Sequence, residues 1–277
     1  FPYPFADILH LATATKKPSL VTYHSDIIKQ KYLLKLYRPL QEFFLRSVDH
    51  IVATSSNYQS SSNVLLRFKS KTSVIPIGLD KATYPVASAE KLNFWRKKFG
   101  PRFFLFVGVI RYYKGLHILV DAALNSDYPI VVVGSGPIEK KLKEQAEKLG
   151  VKNIHFLGFL PEVDKVALLE LCYAFLFPSH LRSEAFGVSL LEAAMHGKPL
   201  ISCEIDTGTS YINIDKKTGL IVPPSDSVAL RQAMDYLWYN PKEVAYMGEQ
   251  AENRYEELFT AEKMASSYID LYQTLVA

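Results

Sequence analysis

A series of short apolar runs without polar alternation most constrains how this chain can fold. Residues 103–109, 129–134, 153–157, 173–178, 199–203 and 219–222 form these runs. Between them, residues 114–125, 137–150, 161–171, 188–196 and 225–239 carry the spacing of helices. A strand with one wet face alternates apolar and polar residues, whereas a strand covered by helices on both faces does not. The pattern therefore predicts an α/β fold, a doubly wound parallel sheet, with residues 101–255 as one complete domain.

The first 85 residues repeat the rhythm more briefly: a strand at 19–23, a long helix at 26–46, a strand at 50–54, a helix at 57–68 and a strand at 72–77. Too few strands are present to finish a sheet. The segment reads as the second half of a Rossmann-like domain whose opening units are missing, and the start at Phe1, without an initiator Met or a basic and apolar leader, reads as a cut edge rather than a signal peptide. Residues 86–100, after Pro85 and including Ser88, are expected to be a linker. Residues 256–277 are expected to form an amphipathic helix with Met264, Tyr268, Leu271 and Leu275 along one face, packing back towards the first domain.

Composition excludes several classes. With 277 residues, 48% hydrophobic and 22% charged, the chain has the make-up of a soluble globular protein, and no apolar run approaches the ~18 residues of a membrane span. A net charge of +4 is too small to argue for nucleic acid. Cys172 and Cys203 both lie in apolar stretches, as buried thiols of a reducing compartment do, which places the chain in the cytoplasm. No Asp-x-Asp pair is present, and His10, His50, His117, His155, His180 and His196 show no ligand spacing, so neither a metal nor another cofactor is expected.

The sharpest constellation is residues 178–197. An apolar strand ends at Phe177, a polar loop with Arg182, Ser183 and Glu184 follows, and Ala185-Phe186-Gly187 leads into a helix holding Val188 and Glu192. Ligands of open α/β sheets bind at such strand ends, where the N–H groups of Phe186, Gly187 and Val188 would meet an anion. On a continuous helix Glu184 and Glu192 would lie about 80° apart and ~12 Å along the axis, suited to two ends of an elongated ligand. They read equally as an acid favoured by the helix dipole and a solvated helix residue.

Upstream, Gly108 to Gly115 place Arg111 and Lys114 on the loop after the domain's first strand, either facing the same cleft or forming a solvated turn. Gly134-Ser135-Gly136 resembles a dinucleotide turn, but Glu139 stands where the third glycine belongs, so a nicotinamide cofactor and a dehydrogenase are poor readings. His24 ends the strand at 19–23, where it is read either as a cleft histidine or as a neighbour of the helix caps Ser25 and Asp26.

Taken together, Lys114 on its loop, the run from Ser183 to Glu192, and the following A-A-M-H-G-K-P-L-I resemble the retaining nucleotide-sugar glycosyltransferases of family 4. Further matches are V-T-Y-H-S-D around His24, S-V-I-P-I-G-L-D at 73–80, V-V-V-G-S-G-P, I-H-F-L-G-F-L at 154–160 and T-G-L-I-V-P-P at 218–224. The resemblance implies the GT-B architecture: two Rossmann-like domains, the first (1–85 here, incomplete) on the acceptor side and the second holding a nucleotide-diphosphate sugar. It implies that Lys114 binds the donor diphosphate, Glu184 the transferred sugar and Glu192 the ribose, while Ala185 to Val188 meet phosphates and sugar. His24 approaches the sugar from the other domain, and Leu157, Gly158 and Phe159 lie at the base.

His24, Lys114 and Glu184 would thus be the catalytic set, with Gly108 and Arg111 on the donor loop. Arg111 stands two residues later than the family's usual arginine, whose place Val109 takes here. The function implied is transfer of a hexose such as mannose or glucose to a glycan or lipid-linked acceptor in surface polysaccharide synthesis. The alternative is a nucleotide-sugar-binding module lacking full activity. Interleaved Lys29, Lys31, Lys35, Arg38 and Arg46 with Ile28, Tyr32, Leu33, Leu36, Tyr37, Phe43 and Phe44 add a membrane surface as a partner.

Overall fold

The computed structural model describes residues 2–13, 17–27 and 31–277, with the side chains of 31–34 excepted. The first part of the chain runs α1 (Pro4–Thr13), β1 (Leu20–Tyr23), α2 (Lys31–Ser47), β2 (His50–Ala53), α3 (Ser56–Ser61), α4 (Asn63–Arg67) and β3 (Thr72–Val74). Its three strands form a parallel sheet in the order β1-β2-β3. Tyr23, Leu45, Ile51, Ala53, Tyr58 and Leu65 make a core between this sheet and its helices.

Two differences from the sequence pattern stand out here. Helix α1 was not anticipated. The long helix does not begin at Asp26, which is non-helical and whose carboxylate instead accepts hydrogen bonds from the Tyr23 and Ser62 hydroxyls at 2.8 Å. Ile28 and Lys29 lie outside the described residues, as do the side chains of Lys31, Tyr32 and Leu33.

The second part is larger. After α5 (Ala89–Phe99) it alternates β4 (Phe104–Val107), α6 (Leu116–Ala122), β5 (Ile130–Val133), α7 (Glu139–Leu149), β6 (Ile154–Gly158), α8 (Glu162–Leu171), β7 (Ala174–Phe177), α9 (Val188–Met195), β8 (Leu200–Cys203), α10 (Thr209–Ile212) and β9 (Gly219–Val222). Helices α11 (Ser227–Tyr239), α12 (Pro241–Leu258) and α13 (Ala261–Val276) complete the chain. All six strands are parallel, in the order β6-β5-β4-β7-β8-β9. This is the Rossmann order, with its switch point between β4 and β7.

Successive residues feed opposite faces: Leu105, Val107, Val131, Val133, Phe175 and Phe177 enter one core, and Phe104, Phe106, Ile130, Val132 and Leu176 the other. Burying each such side chain is worth roughly 1.5–3 kcal/mol, which is why the strands read as unbroken apolar runs.

Residues 86–100 are not an open linker. Ser88 caps α5 by accepting from the Lys91 N–H, and Trp95 and Phe99 are buried against the second part. Lys91 and the Trp95 indole both donate to Asp164 of α8, at 2.8 and 3.0 Å. At the far end the chain returns: Leu79 exchanges backbone hydrogen bonds with Phe259 and Ala261. Helix α13 then carries Met264 to the Gly78 N–H and the Tyr268 hydroxyl to Thr22 of β1. No described helix is long and apolar enough to cross a membrane.

Candidate active site

The carboxyl ends of β4, β5, β6 and β7 form one edge, and the loops leaving them shape the site. After β4 the backbone passes through a short 3-10 turn, Tyr112–Lys114, into Gly115 at φ 73° and ψ 15°. A Cβ on Gly115 would stand 1.9 Å from the Pro178 carbonyl oxygen, so only glycine lets this loop close on the end of β7. That approach turns Lys114 inward. It is 8% exposed, its ammonium is 4.8 Å from the centre of the Phe177 ring, and it pairs with Glu184 Oε2 at 2.5 Å. The Ser179 hydroxyl donates to the same carboxylate oxygen at 3.1 Å.

Glu184 therefore sits in the loop before α9 and not on the helix. Gly187 separates them, with φ 101°, and a Cβ there would lie 3.2 Å from the Phe177 ring. The continuous-helix geometry expected for Glu184 and Glu192 does not apply, because a left-handed residue breaks the helix between them. The N–H groups of Phe186, Gly187, Val188, Ser189 and Leu190 have no partner among the described residues, and the first bond of the helix is from Leu191 N–H to the Gly187 carbonyl. These free donors at the positive end of α9 favour an anion. The Phe186 ring itself is core, packed edge-on to Phe259, so only its backbone is offered to a ligand. Ala185 packs into the core of the first part of the chain.

Glu192, 7% exposed, has its own partners: the Tyr84 hydroxyl at 3.0 Å and Lys165 Nζ at 2.8 Å. Neither partner, nor Ser179, was singled out by sequence reading, since each lies on a different element from the carboxylate it serves. His180 was seen but given no role. It packs against Tyr112 and His117 and bonds the Ser225 hydroxyl at 2.9 Å, bracing the Lys114 loop from behind.

The structure brings Gly108, Gly158 and the Lys114 loop to one edge: Gly108 N–H bonds the Val133 carbonyl, and Gly134 N–H bonds the Gly158 carbonyl at 2.7 Å. Leu157 is half-buried and Phe159 is 82% exposed at the end of β6, two strands from β4. Arg111 is exposed on the loop after β4 and forms no ion pair among the described residues. His24 follows β1 across the cleft. Its imidazole is exposed, yet crowding by protein holds its pKa below the usual value, opposed by the Glu184 carboxylate. Arg182 joins the two sides, donating to Ser61 at 3.0 Å and to the Asp206 carbonyl at 2.8 Å.

The chain is similar to several known proteins. Over 261 residues the chain is 62% identical to the D-rhamnosyltransferase WbpZ of Pseudomonas aeruginosa, spanning 94% of this chain and 68% of that one. It is 52% identical over 276 residues to the O-antigen chain mannosyltransferase C of Escherichia coli, spanning 74% of that protein. Among solved structures, the sucrose-phosphate synthase of Thermosynechococcus elongatus superposes with a TM-score of 0.84 over 99% of this chain and 72% of that one, at 22% identity. Anabaena HepE in complex with UDP gives 0.83 over 98% and 76%, at 19% identity. At such identities they establish the fold, which is GT-B. The family "Glycosyl transferases group 1" matches residues 88–254, from the cap of α5 into α12, and with the two relatives above it establishes that this chain belongs to the group 1 glycosyltransferases.

Proposed function

We propose that this chain is a retaining, metal-independent hexosyltransferase of family 4 that moves a manno-configured sugar from a nucleoside diphosphate to a glycan or lipid-linked acceptor of a surface polysaccharide. The observation that carries the proposal is the buried Lys114–Glu184 pair lying beside unpartnered N–H groups at the start of α9. A cation and free amides converge where a diphosphate would rest, and a carboxylate stands beside them to take sugar hydroxyls. The names of the two relatives supply the sugar: mannose and D-rhamnose share one ring configuration and differ only in the oxygen at C6.

In the proposed reaction the bond from C1 to the diphosphate oxygen breaks while the acceptor oxygen bonds C1 from the same face. The acceptor's proton passes to the departing diphosphate. Lys114 and the amides of Phe186 to Leu190 stabilise the charge that grows there, each such bond being worth about 1.5–3 kcal/mol. His24 and Glu184 orient the sugar; Glu192 takes the ribose, Leu157 to Phe159 flank the base, and Arg111 reaches the phosphates from the loop.

Peripheral attachment at the cytoplasmic membrane face is part of the same proposal. Lys35, Arg38 and Arg46 are exposed on α2 beside Leu36 and Phe43, which are 80% and 63% exposed, whereas Phe44 is buried and Tyr37 bonds Asp7. Proton NMR of the product made from an α-linked mannosyl donor tests the chemistry: an α-mannoside is expected, and a β-mannoside would reject retention.

A further inference from the structure

Glu192 is held through one oxygen only. The Tyr84 hydroxyl and Lys165 Nζ both donate to Oε1, at 3.0 and 2.8 Å. Oε2 has no partner among the described residues and is not sealed from solvent. Lys165 is itself fixed: it pairs with Glu162 at 2.6 Å and its ammonium lies 5.4 Å from the centre of the Tyr84 ring. The two donors reach Glu192 from different elements, Lys165 from α8 and Tyr84 from the segment joining β3 to α5. Two donors on one oxygen set the torsion of the carboxylate and leave its other oxygen open to a ligand.

We propose that Lys165 and Tyr84 are specificity-determining positioning residues, which aim Glu192 Oε2 at a hydroxyl of the bound nucleotide. The inference rests on the proposed function, in which that hydroxyl belongs to the ribose. Its consequence is discrimination: an acceptor held in one orientation rejects a ligand lacking the hydroxyl, because Oε2 is then covered by the ligand without a donor to meet it. A carboxylate free to swing finds water instead and discriminates little.

Calorimetric titration of GDP and UDP, each against its 2′-deoxy and 3′-deoxy forms, tests this in the wild type, Lys165→Met, Lys165→Arg, Tyr84→Phe and Glu192→Gln. The wild type is expected to prefer the ribonucleotide over at least one deoxy form by about tenfold or more, the scale of one hydrogen bond to a charged group. Lys165→Met should reduce the preference to about twofold or less, Lys165→Arg should keep it, and Tyr84→Phe should fall between. A folded Lys165→Met with the full preference overturns the proposal. If that variant does not fold, Tyr84→Phe, which loses a single hydroxyl, decides alone, and an unchanged preference overturns it equally. A wild type that binds neither nucleotide, shows no preference, or keeps its preference in Glu192→Gln removes the ribose reading itself and the proposal with it. That failure is distinguishable, since it arises in the wild type or Glu192→Gln and not in the Lys165 and Tyr84 variants.

Discussion

Lys114→Met removes the cation from a pair whose two side chains each keep 11% of their surface in water. Breaking a buried pair leaves the partner charge uncompensated, a cost of about 3–5 kcal/mol; the residual exposure places this case near the low end, at about 3 kcal/mol. Methionine is close to lysine in length and fills most of the same space, so lost packing adds little, although the contact of the ammonium with the Phe177 ring goes with the charge. Glu184 would retain only the Ser179 hydroxyl at 3.1 Å. For a chain of 277 residues the expected fall in melting temperature is about 6 °C. Glu184→Gln should cost a similar amount by stranding Lys114.

The double variant Lys114→Met with Glu184→Gln has no charge left to strand, so most of the stability should return, with a coupling of about 2–3 kcal/mol. Nucleotide-sugar affinity should not return with it, because the diphosphate has lost its cation. Thermal melts and calorimetric titrations on all four proteins measure both quantities. Additive stability losses would show that the pair is not coupled. Recovery of affinity alongside stability would show that Lys114 acts only on the fold, which would refute its role at the diphosphate.

Three further outcomes are expected. Glu192→Gln should weaken nucleotide-sugar binding by about 1–3 kcal/mol in a folded protein, and unchanged affinity would reject its role. Saturating EDTA should leave transfer intact, whereas a strict need for manganese or magnesium would contradict the metal-free chemistry. Melting temperature should fall as pH is lowered from about 7.5 to 5.5. His24, His50, His117, His155, His180 and His196 all have pKa values held below 6.5, chiefly because surrounding protein desolvates the charged ring, so between 6.5 and their folded values the unfolded chain binds more protons and stability declines with falling pH. A rise in melting temperature over this interval would overturn the assignment.

What the sequence makes legible follows from burial. Strands covered on both faces are buried throughout, so β4, β5, β7 and β8 read directly as apolar runs, and the edge strands β6 and β9, only partly buried, follow from the same rhythm. Helix α5 hides because Pro85 and a charged stretch look like a linker, although Ser88 as a cap with Leu92, Trp95 and Phe99 at helical spacing is the signal that could have found it. Glu184 and Glu192 are legible as residues but not as a geometry, since the left-handed Gly187 between them ends any argument from helical angles. The partners that fix those carboxylates are invisible for a different reason. Tyr84 and Lys165 lie 108 and 27 positions from Glu192, and Lys114 comes to Glu184 only because Gly115 lets two loops touch.

The donor site itself is tested most directly by hydrogen exchange at the backbone amides of residues 186–190 and of the Lys114 loop, measured without ligand and with saturating GDP-mannose or UDP-glucose. At least one of these donors is expected to slow exchange at Phe186, Gly187 and the first turn of α9, where the amides have no partner among the described residues. Binding that protects amides elsewhere and leaves residues 186–190 unchanged would place the nucleotide sugar at another site and contradict the account.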